Sequence, residues 1–168
     1  MALVAGLGVS ACLPPPPVTT CSPVGAIPDP IQFDDLGALS HALEARFPTC
    51  FGGVVRTGDH SADLYVSGQD PAVLLLAEQL IGPGFAFTER ASDHALADVR
   101  LLKQQIDADA DDLHAAGIPT QATGIKIVAA GPRVLVGIWP DSPEARAGLE
   151  ERYGADWLLI IAYEYHDD

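Results

Sequence analysis

Residues 124–165, GIKIVAAGPRVLVGIWPDSPEARAGLEERYGADWLLIIAYEY, hold three apolar runs and one charged run, punctuated by glycine and proline. Val134, Val136 and Ile138 recur at every second position, the period of a strand with one buried face. "GIKIVAA" before them and the turn signal Gly131-Pro132 predict an antiparallel hairpin. Asp141-Ser142-Pro143-Glu144 reads as a helix start, with Ala145, Leu149 and Tyr153 on one stripe and Gly154 as the stop. "DWLLIIAYEY" then returns as a strand. Its apolar residues fall on both faces, Trp157, Leu159 and Ile161 on one and Leu158 and Ile160 on the other, which predicts burial on both sides. The strand-helix-strand crossover is expected to be parallel and right-handed.

Upstream, Leu96, Val99, Leu102, Ile106, Ala110 and Leu113 keep helical spacing until Gly117, so one long helix, capped by Ser92 or Asp93, precedes the hairpin. The order is αββαβ. The same order occurs once before it. Leu36, Leu39, Leu43 and Phe47 mark a helix begun at Asp34-Asp35 and closed by Pro48. "GGVVRT" and "ADLYVSG" flank the turn "GDHS", Asp70-Pro71 starts the helix "AVLLLAEQLI", Gly82-Pro83-Gly84 ends it, and "FAFTE" is the third strand. The fold class is therefore α+β: two αββαβ repeats, residues 31–90 and 91–168, with mixed sheets and helices on one face. Units of about 60 and 75 residues bury too little alone, so the two sheets are expected to pack together or join edge to edge and share a core.

The chain of 168 residues is 48% hydrophobic, enough for a core, and carries 23 acidic against nine basic residues, a formal charge of -14. That charge repels phosphate backbones and anionic lipid surfaces, so nucleic acid is not an expected partner. No stretch beyond the N-terminus is long and apolar enough to span a bilayer.

Val9-Ser10-Ala11-Cys12 resembles the lipobox of bacterial lipoproteins, an apolar residue and two small residues before a cysteine. The resemblance implies a signal peptide over 1–11, cleavage, lipidation of Cys12, and an extracytoplasmic, membrane-anchored chain. Eleven residues precede Cys12, and none is basic, as a start codon assigned too late would explain. The alternative is an apolar first strand with a chance cysteine. Seven of the 14 prolines, at 14–17, 23, 28 and 30, follow directly, which reads as a stiff tether over 12–30. With Cys12 acylated, Cys21 and Cys50 remain; in an oxidising compartment they are either a disulfide, closing a loop for about 3 kcal/mol, or two free thiols.

The αββαβ order, with "YVSG" before the second helix, is similar to the BON modules of bacterial envelope proteins, which often occur in tandem and bind surfaces, lipids or other proteins. "RVLVGIWPDSPEARAGLEERYG", behind a helix ending "DLHAAGI", resembles the pro-region modules of secreted actinobacterial serine proteases, where such a unit folds against the protease. Both resemblances imply non-catalytic chains.

Motifs for chemistry fail on spacing. Asp107, Asp109 and Asp111 alternate as in a calcium loop, but Asp112 stands where the turn glycine belongs and Ile118 where the bidentate glutamate belongs, so the segment reads as helix. His41, His60, His94, His114 and His166 form no metal-binding motif, and Asp93-His94 reads as an exposed helix start. No metal, cofactor or catalytic residue is assigned. Trp139, at a strand end beside Pro140, is the candidate exposed binding residue. The expected function is an extracytoplasmic binding or scaffolding lipoprotein, anchored to the membrane through its lipid and contacting an envelope or secreted protein. The alternatives are a chaperone or inhibitor of a secreted protease, and an enzyme.

Overall fold

The computed structural model describes residues 21–164, apart from 33, 34 and 69. The lipobox with Cys12, Pro14–Pro17, and Tyr165 to Asp168 lie outside the described residues. The first module runs α1 (Leu36–Arg46), β1 (Phe51–Gly58), β2 (Ser61–Val66), α2 (Pro71–Ile81) and β3 (Ala86–Ala91). The second runs α3 (Leu96–Ala108), α4 (Ala110–Ala115), β4 (Thr120–Val128), β5 (Gly131–Ile138), α5 (Pro143–Tyr153) and β6 (Leu158–Ala162). Each module has a three-stranded mixed sheet, β1-β2-β3 and β4-β5-β6, with an antiparallel hairpin and a parallel third strand on the far side of its second strand. The α+β class and the doubled αββαβ order are those expected from the sequence.

Local chemistry explains the element ends. The carboxylates of Asp35 and Asp70 accept from the Ala38 and Ala72 amides, and the Ser142 hydroxyl accepts from Ala145 N, each satisfying an otherwise orphaned first-turn donor. Pro71 and Pro143 occupy first-turn positions, where a missing N–H is harmless. The hairpin turn of the second module falls at Ala129-Ala130, two residues before the Gly131-Pro132 signal. Gly131 opens β5 with φ +104°, and a Cβ there would collide with the Ser92 side chain.

Helices cover one face of each sheet. Val134, Val136 and Ile138 are fully buried against Val99, Ile106 and Leu113 from α3 and α4 and Leu149 and Tyr153 from α5. In the first module Ala62, Leu64 and Val66 of β2 meet Leu39 and Leu43 of α1 and Val73 and Ala77 of α2. Among the described residues the sheets do not join edge to edge, and in place of the expected shared core each module has its own buried cluster, the two meeting at a seam. Leu96, the first residue of α3, belongs to the cluster of the first module, and Ile125 of β4 packs against both. Arg100 of α3 donates to Glu44 of α1 at 2.7 Å across the same seam.

Further expectations are corrected. The long helix is interrupted at Asp109, whose carboxylate accepts hydrogen bonds from Tyr153 Oη and Arg152 Nη2 of α5 at 2.7 and 2.9 Å. Neither Ser92 nor Asp93 caps α3: its N-cap is Ala95, while Ser92 Oγ donates to His94 O and Asp93 accepts from Arg133. The last strand begins only at Leu158, after a 3-10 turn over Ala155–Trp157, and is not buried on both sides. It is an edge strand with Leu159 half-buried and Ile161 40% exposed. Finally, the spacer expected over 12–30 is held against the first module from Cys21 onward. Val24 N donates to Arg46 O, Ile31 N donates to Leu80 O, and Ile31 packs on the core.

Candidate interaction surface

Because helices cover only one face of each sheet, the residues between the core positions define a second face. On β5 these are Leu135 and Gly137, with Trp139 following in the same alternation. The parallel register sets Leu159 beside Leu135 and Ile161 beside Gly137, and the antiparallel register sets Gly124 and Ala122 on the other flank. Gly137 has no side chain where the Tyr163 ring crosses the strand: a Cβ there would lie 3.1 Å from Tyr163 Cδ2 and 3.7 Å from Ala122 Cβ. Tyr163 N donates to Ile138 O, which fixes the backbone that carries the ring. The result is a face with Leu135, Gly137, Leu159, Ile161 and Tyr163 at its middle, Trp139, 52% exposed, at one end, and the cross-strand neighbours Lys126 and Arg133 at the other. The Trp139-Pro140 bond is cis, and Trp139 N donates to Pro119 O.

The equivalent face of the first sheet is decorated differently. There Asp63 pairs with Arg90 at 3.1 Å, and Thr88, the neighbour of Asp63 on the edge strand β3, is exposed. Two modules of one topology therefore present a polar and an apolar open face, and only the apolar one leaves large side chains in water. The outer edge of the apolar sheet is guarded. Arg146 of α5 donates from Nη1 to Ile160 O at 2.9 Å while its fork grips both oxygens of Asp141. Through that bidentate hydrogen bond Arg146 holds the Asp141 carboxyl below the ordinary carboxylate range.

A polar knot ties the entry segment of the second module to β5 and to the turn before it. Arg133 Nη2 donates to Asp93 at 2.8 Å, and Asp93 N donates to Ala130 O. His94, read from the sequence as an exposed helix start, is only 8% exposed. Its Nε2 lies 3.1 Å from Asp156 O, so that nitrogen carries the proton, and its ring stacks on Trp157 with centroids 3.6 Å apart. Burial of His94 comes from a residue far along the chain, and no spacing rule signals it. Ser92 Oγ is turned to the His94 carbonyl and not to its imidazole, so the buried hydroxyl and the imidazole are not arranged as nucleophile and base.

A shallow groove of about 360 Å³ lies along α3, lined by Asp98, Leu101, Leu102, Gln105, Tyr153 and Trp157. Burial and the hydrogen bond to Asp109 push the Tyr153 phenol up to about 12. Asp107 is pushed up by burial, but hydrogen bonds from Lys103 and Thr123 outweigh this and hold it below its ordinary value. These carboxylates are engaged with cations and hydroxyls of their own chain, and among the described residues no three His, Cys, Asp or Glu side chains are grouped to hold a metal ion.

Of the residues singled out by sequence, Trp139 lies at the end of the apolar face. Cys21 and Cys50 are joined as a disulfide with Cα atoms 5.6 Å apart, next to β1. Cys12 lies outside the described residues. Leu159 and Ile161, expected from the sequence to be buried, lie on this face, the first half-buried and the second exposed. Their alternation reads as core until the strand order shows that no helix covers that side. No helix among the described residues is long and apolar enough to cross a membrane. No protein-family model, curated protein or solved structure matches this chain.

Proposed function

We propose that the chain is a non-catalytic binding or scaffolding lipoprotein of the bacterial cell envelope, anchored outside the cytoplasm through lipid on Cys12. The observation that carries the binding half of this reading is the open apolar face of the second sheet. Trp139 and Ile161, 52% and 40% exposed, lie on one sheet face, and apolar side chains grouped in this way suit contact with a partner. The anchoring half is supported by the lipobox and by the Cys21–Cys50 disulfide, a bond suited to an oxidising compartment. Docking of residues 21–31 on the first module leaves the nine steps from Cys12 to Cys21 as spacer. These reach at most about 30 Å fully extended.

Cys12→Ala, expressed with its complete leader, is expected to move the protein from the detergent phase to the aqueous phase in a detergent phase-separation assay. Wild-type protein found entirely in the aqueous phase would defeat the anchor. Crosslinking in intact envelopes with a photoreactive group at residue 139 is expected to trap a partner protein, and a group at exposed Leu75 serves as the control. Equal trapping at both positions would defeat the binding face. A second reading, a chaperone or inhibitor of a secreted protease, is favoured by the β4-β5-α5-β6 order behind α3 and α4. It requires the trapped partner to be a protease.

A further inference from the structure

The two modules finish their sheets differently. The crossover in each delivers an edge strand, β3 in the first and β6 in the second. Along β6, Tyr163 N donates to Ile138 O, so alternation turns the N–H and C=O of Leu158, Ile160 and Ala162 outward, and Arg146 of α5 donates to Ile160 O. Along β3, Ala86 N donates to His60 O and Ser92 N to Val66 O, so Phe87, Glu89 and Ala91 are the residues turned outward. Glu89 stands beside the core residue Leu64 as Ile160 stands beside Val136, which makes the two positions equivalent. The fourth residue of α5 is Arg146, but the fourth residue of α2 is Leu74, whose side chain has nothing to donate. Among the described residues no protein group bonds the outward N–H or C=O of Phe87, Glu89 or Ala91.

Other guards of an edge are missing from β3. The β2–β3 register runs from Ser61–Ala86 to Val66–Ala91 without a shift, whereas β1–β2 and β4–β5 each carry irregularities. β3 has no proline and no lysine, and its one basic side chain, Arg90, is turned to Asp63 of β2 at 3.1 Å. Unpaired backbone groups at every second residue, about 6.6 Å apart, are matched by another extended chain. A strand added at an edge is held by main-chain hydrogen bonds, so it needs no large buried area.

Charge decides between a second copy and another chain. Two-fold antiparallel pairing of β3 with itself through Phe87, Glu89 and Ala91 sets Glu89 directly opposite its own copy, a like-charge pair on the half-buried helix side of the sheet. The registers shifted to either side drop Ala91 or Phe87 from the ladder, and the second of these sets Arg90 opposite Arg90. α2, which packs against β3, has no basic residue, and Glu89 forms no ion pair or side-chain hydrogen bond among the described residues. A lysine or arginine placed opposite Glu89 therefore meets a carboxylate with no competing partner.

We infer that the outer edge of β3 accepts an extended segment of a partner protein as a fourth strand, with a lysine or arginine opposite Glu89. The inference rests on the binding reading above and deepens it, but it places this contact on the first module, so its test is separate from trapping at residue 139.

The test uses the full chain and a short peptide of alternating threonine and valine with lysine at its centre. In the free chain the outward amides of Phe87, Glu89 and Ala91 are expected to exchange fast with solvent, and those of Thr88 and Arg90, turned to β2, slowly. The peptide is expected to shift and protect the outward amides in NMR spectra. Moving its lysine to one end is expected to weaken binding about twofold to fivefold, and methylating the backbone nitrogens that face β3 to abolish it. Ala91→Pro, which removes an outward N–H that no ladder uses, is expected to weaken binding several-fold. Glu89→Lys is expected to transfer the preference to a glutamate-centred peptide, and Ile161→Ser, on the second sheet, to leave binding unaltered.

Slow exchange of the Glu89 amide in the free chain would show the edge already covered and overturn the inference. So would undiminished binding of the methylated peptide, shifts confined to β4–β6, or self-association that protects Glu89. Equal affinity for both lysine positions would overturn the basic residue. A partner trapped at residue 139 while no peptide binds would overturn this edge and keep the binding reading. Protection at Glu89 without trapping at residue 139 would keep the edge and defeat the open face.

Discussion

Leu96 is the residue through which the two modules are tested as one folding unit. It opens α3 of the second module, yet it is 5% exposed within the cluster of the first. Leu96→Ala removes about three methylene equivalents at ~0.8 kcal/mol each, and incomplete closure of the gap brings the loss to about 3 kcal/mol. With a urea dependence of about 2 kcal/mol/M, the unfolding midpoint falls by about 1.5 M. Both tryptophans, Trp139 and Trp157, lie in the second module, so their fluorescence reports that half alone. Amide hydrogen exchange of β1 and β2 reports the other half. If the seam couples the modules, the fluorescence midpoint and the β1–β2 protection fall by the same amount in one cooperative step. A fluorescence midpoint that shifts while β1 and β2 keep their protection, or the reverse, would show two independent units and refute the reasoning. Val73→Ala, deep in α2 and remote from the seam, is expected to lower both probes equally for the same reason.

Non-reducing peptide mapping is expected to recover Cys21 linked to Cys50, and the double change to serine to lower stability by about 2–4 kcal/mol; free thiols at both positions would contradict the bond. The Tyr153 phenol, raised to about 12, is expected to stay un-ionised through the range where an exposed tyrosine titrates near 10. Its contribution is fully present below the unfolded value and is lost as pH rises from about 10 through 12, so absorbance titration should show one late phenol that Tyr153→Phe abolishes. Arg146→Ala is expected to return the Asp141 carboxyl toward its ordinary value in an NMR pH titration, because the hydrogen bonds that lower it are gone. An unchanged Asp141 titration would show that the fork is not what holds it.

The elements closed by local chemistry were legible in the sequence. Asp70-Pro71 and Gly82 bracket α2, and Ser142-Pro143 and Gly154 bracket α5, since a cap and a stop act on residues within one turn. The alternation of Val134, Val136 and Ile138 likewise gave the core face of β5 directly. What escaped depends on residues distant in the chain. Asp109 stands at the break between α3 and α4 with its carboxylate bound by Arg152 and Tyr153, and the His94 ring is stacked on Trp157. Ser92 and Asp93 are ordinary capping residues whose side chains are drawn instead to His94 O and Arg133. The open face was misread for a related reason. Apolar residues on both sides of β6 have the pattern of a central strand, and only the sheet order shows one side to be uncovered. Part of the candidate site thus looked like core in the sequence because its chemistry is that of a core.

The Cys21–Cys50 bond also defines how the molecule carries a mechanical load. A pull on the N-terminus passes across the sulfur atoms to Cys50 and arrives at the first residue of β1. Residues 22–49, α1 included, sit inside a covalent loop that the tension bypasses. Without the bond the same pull would first peel Val24 from Arg46 and Ile31 from Leu80, then unwind α1 turn by turn. With it, the antiparallel β1–β2 ladder is the first structure under stress, and several of its hydrogen bonds resist together. Reduction would therefore change the order in which the parts yield, making α1 the weak link and the sheet the last to fail.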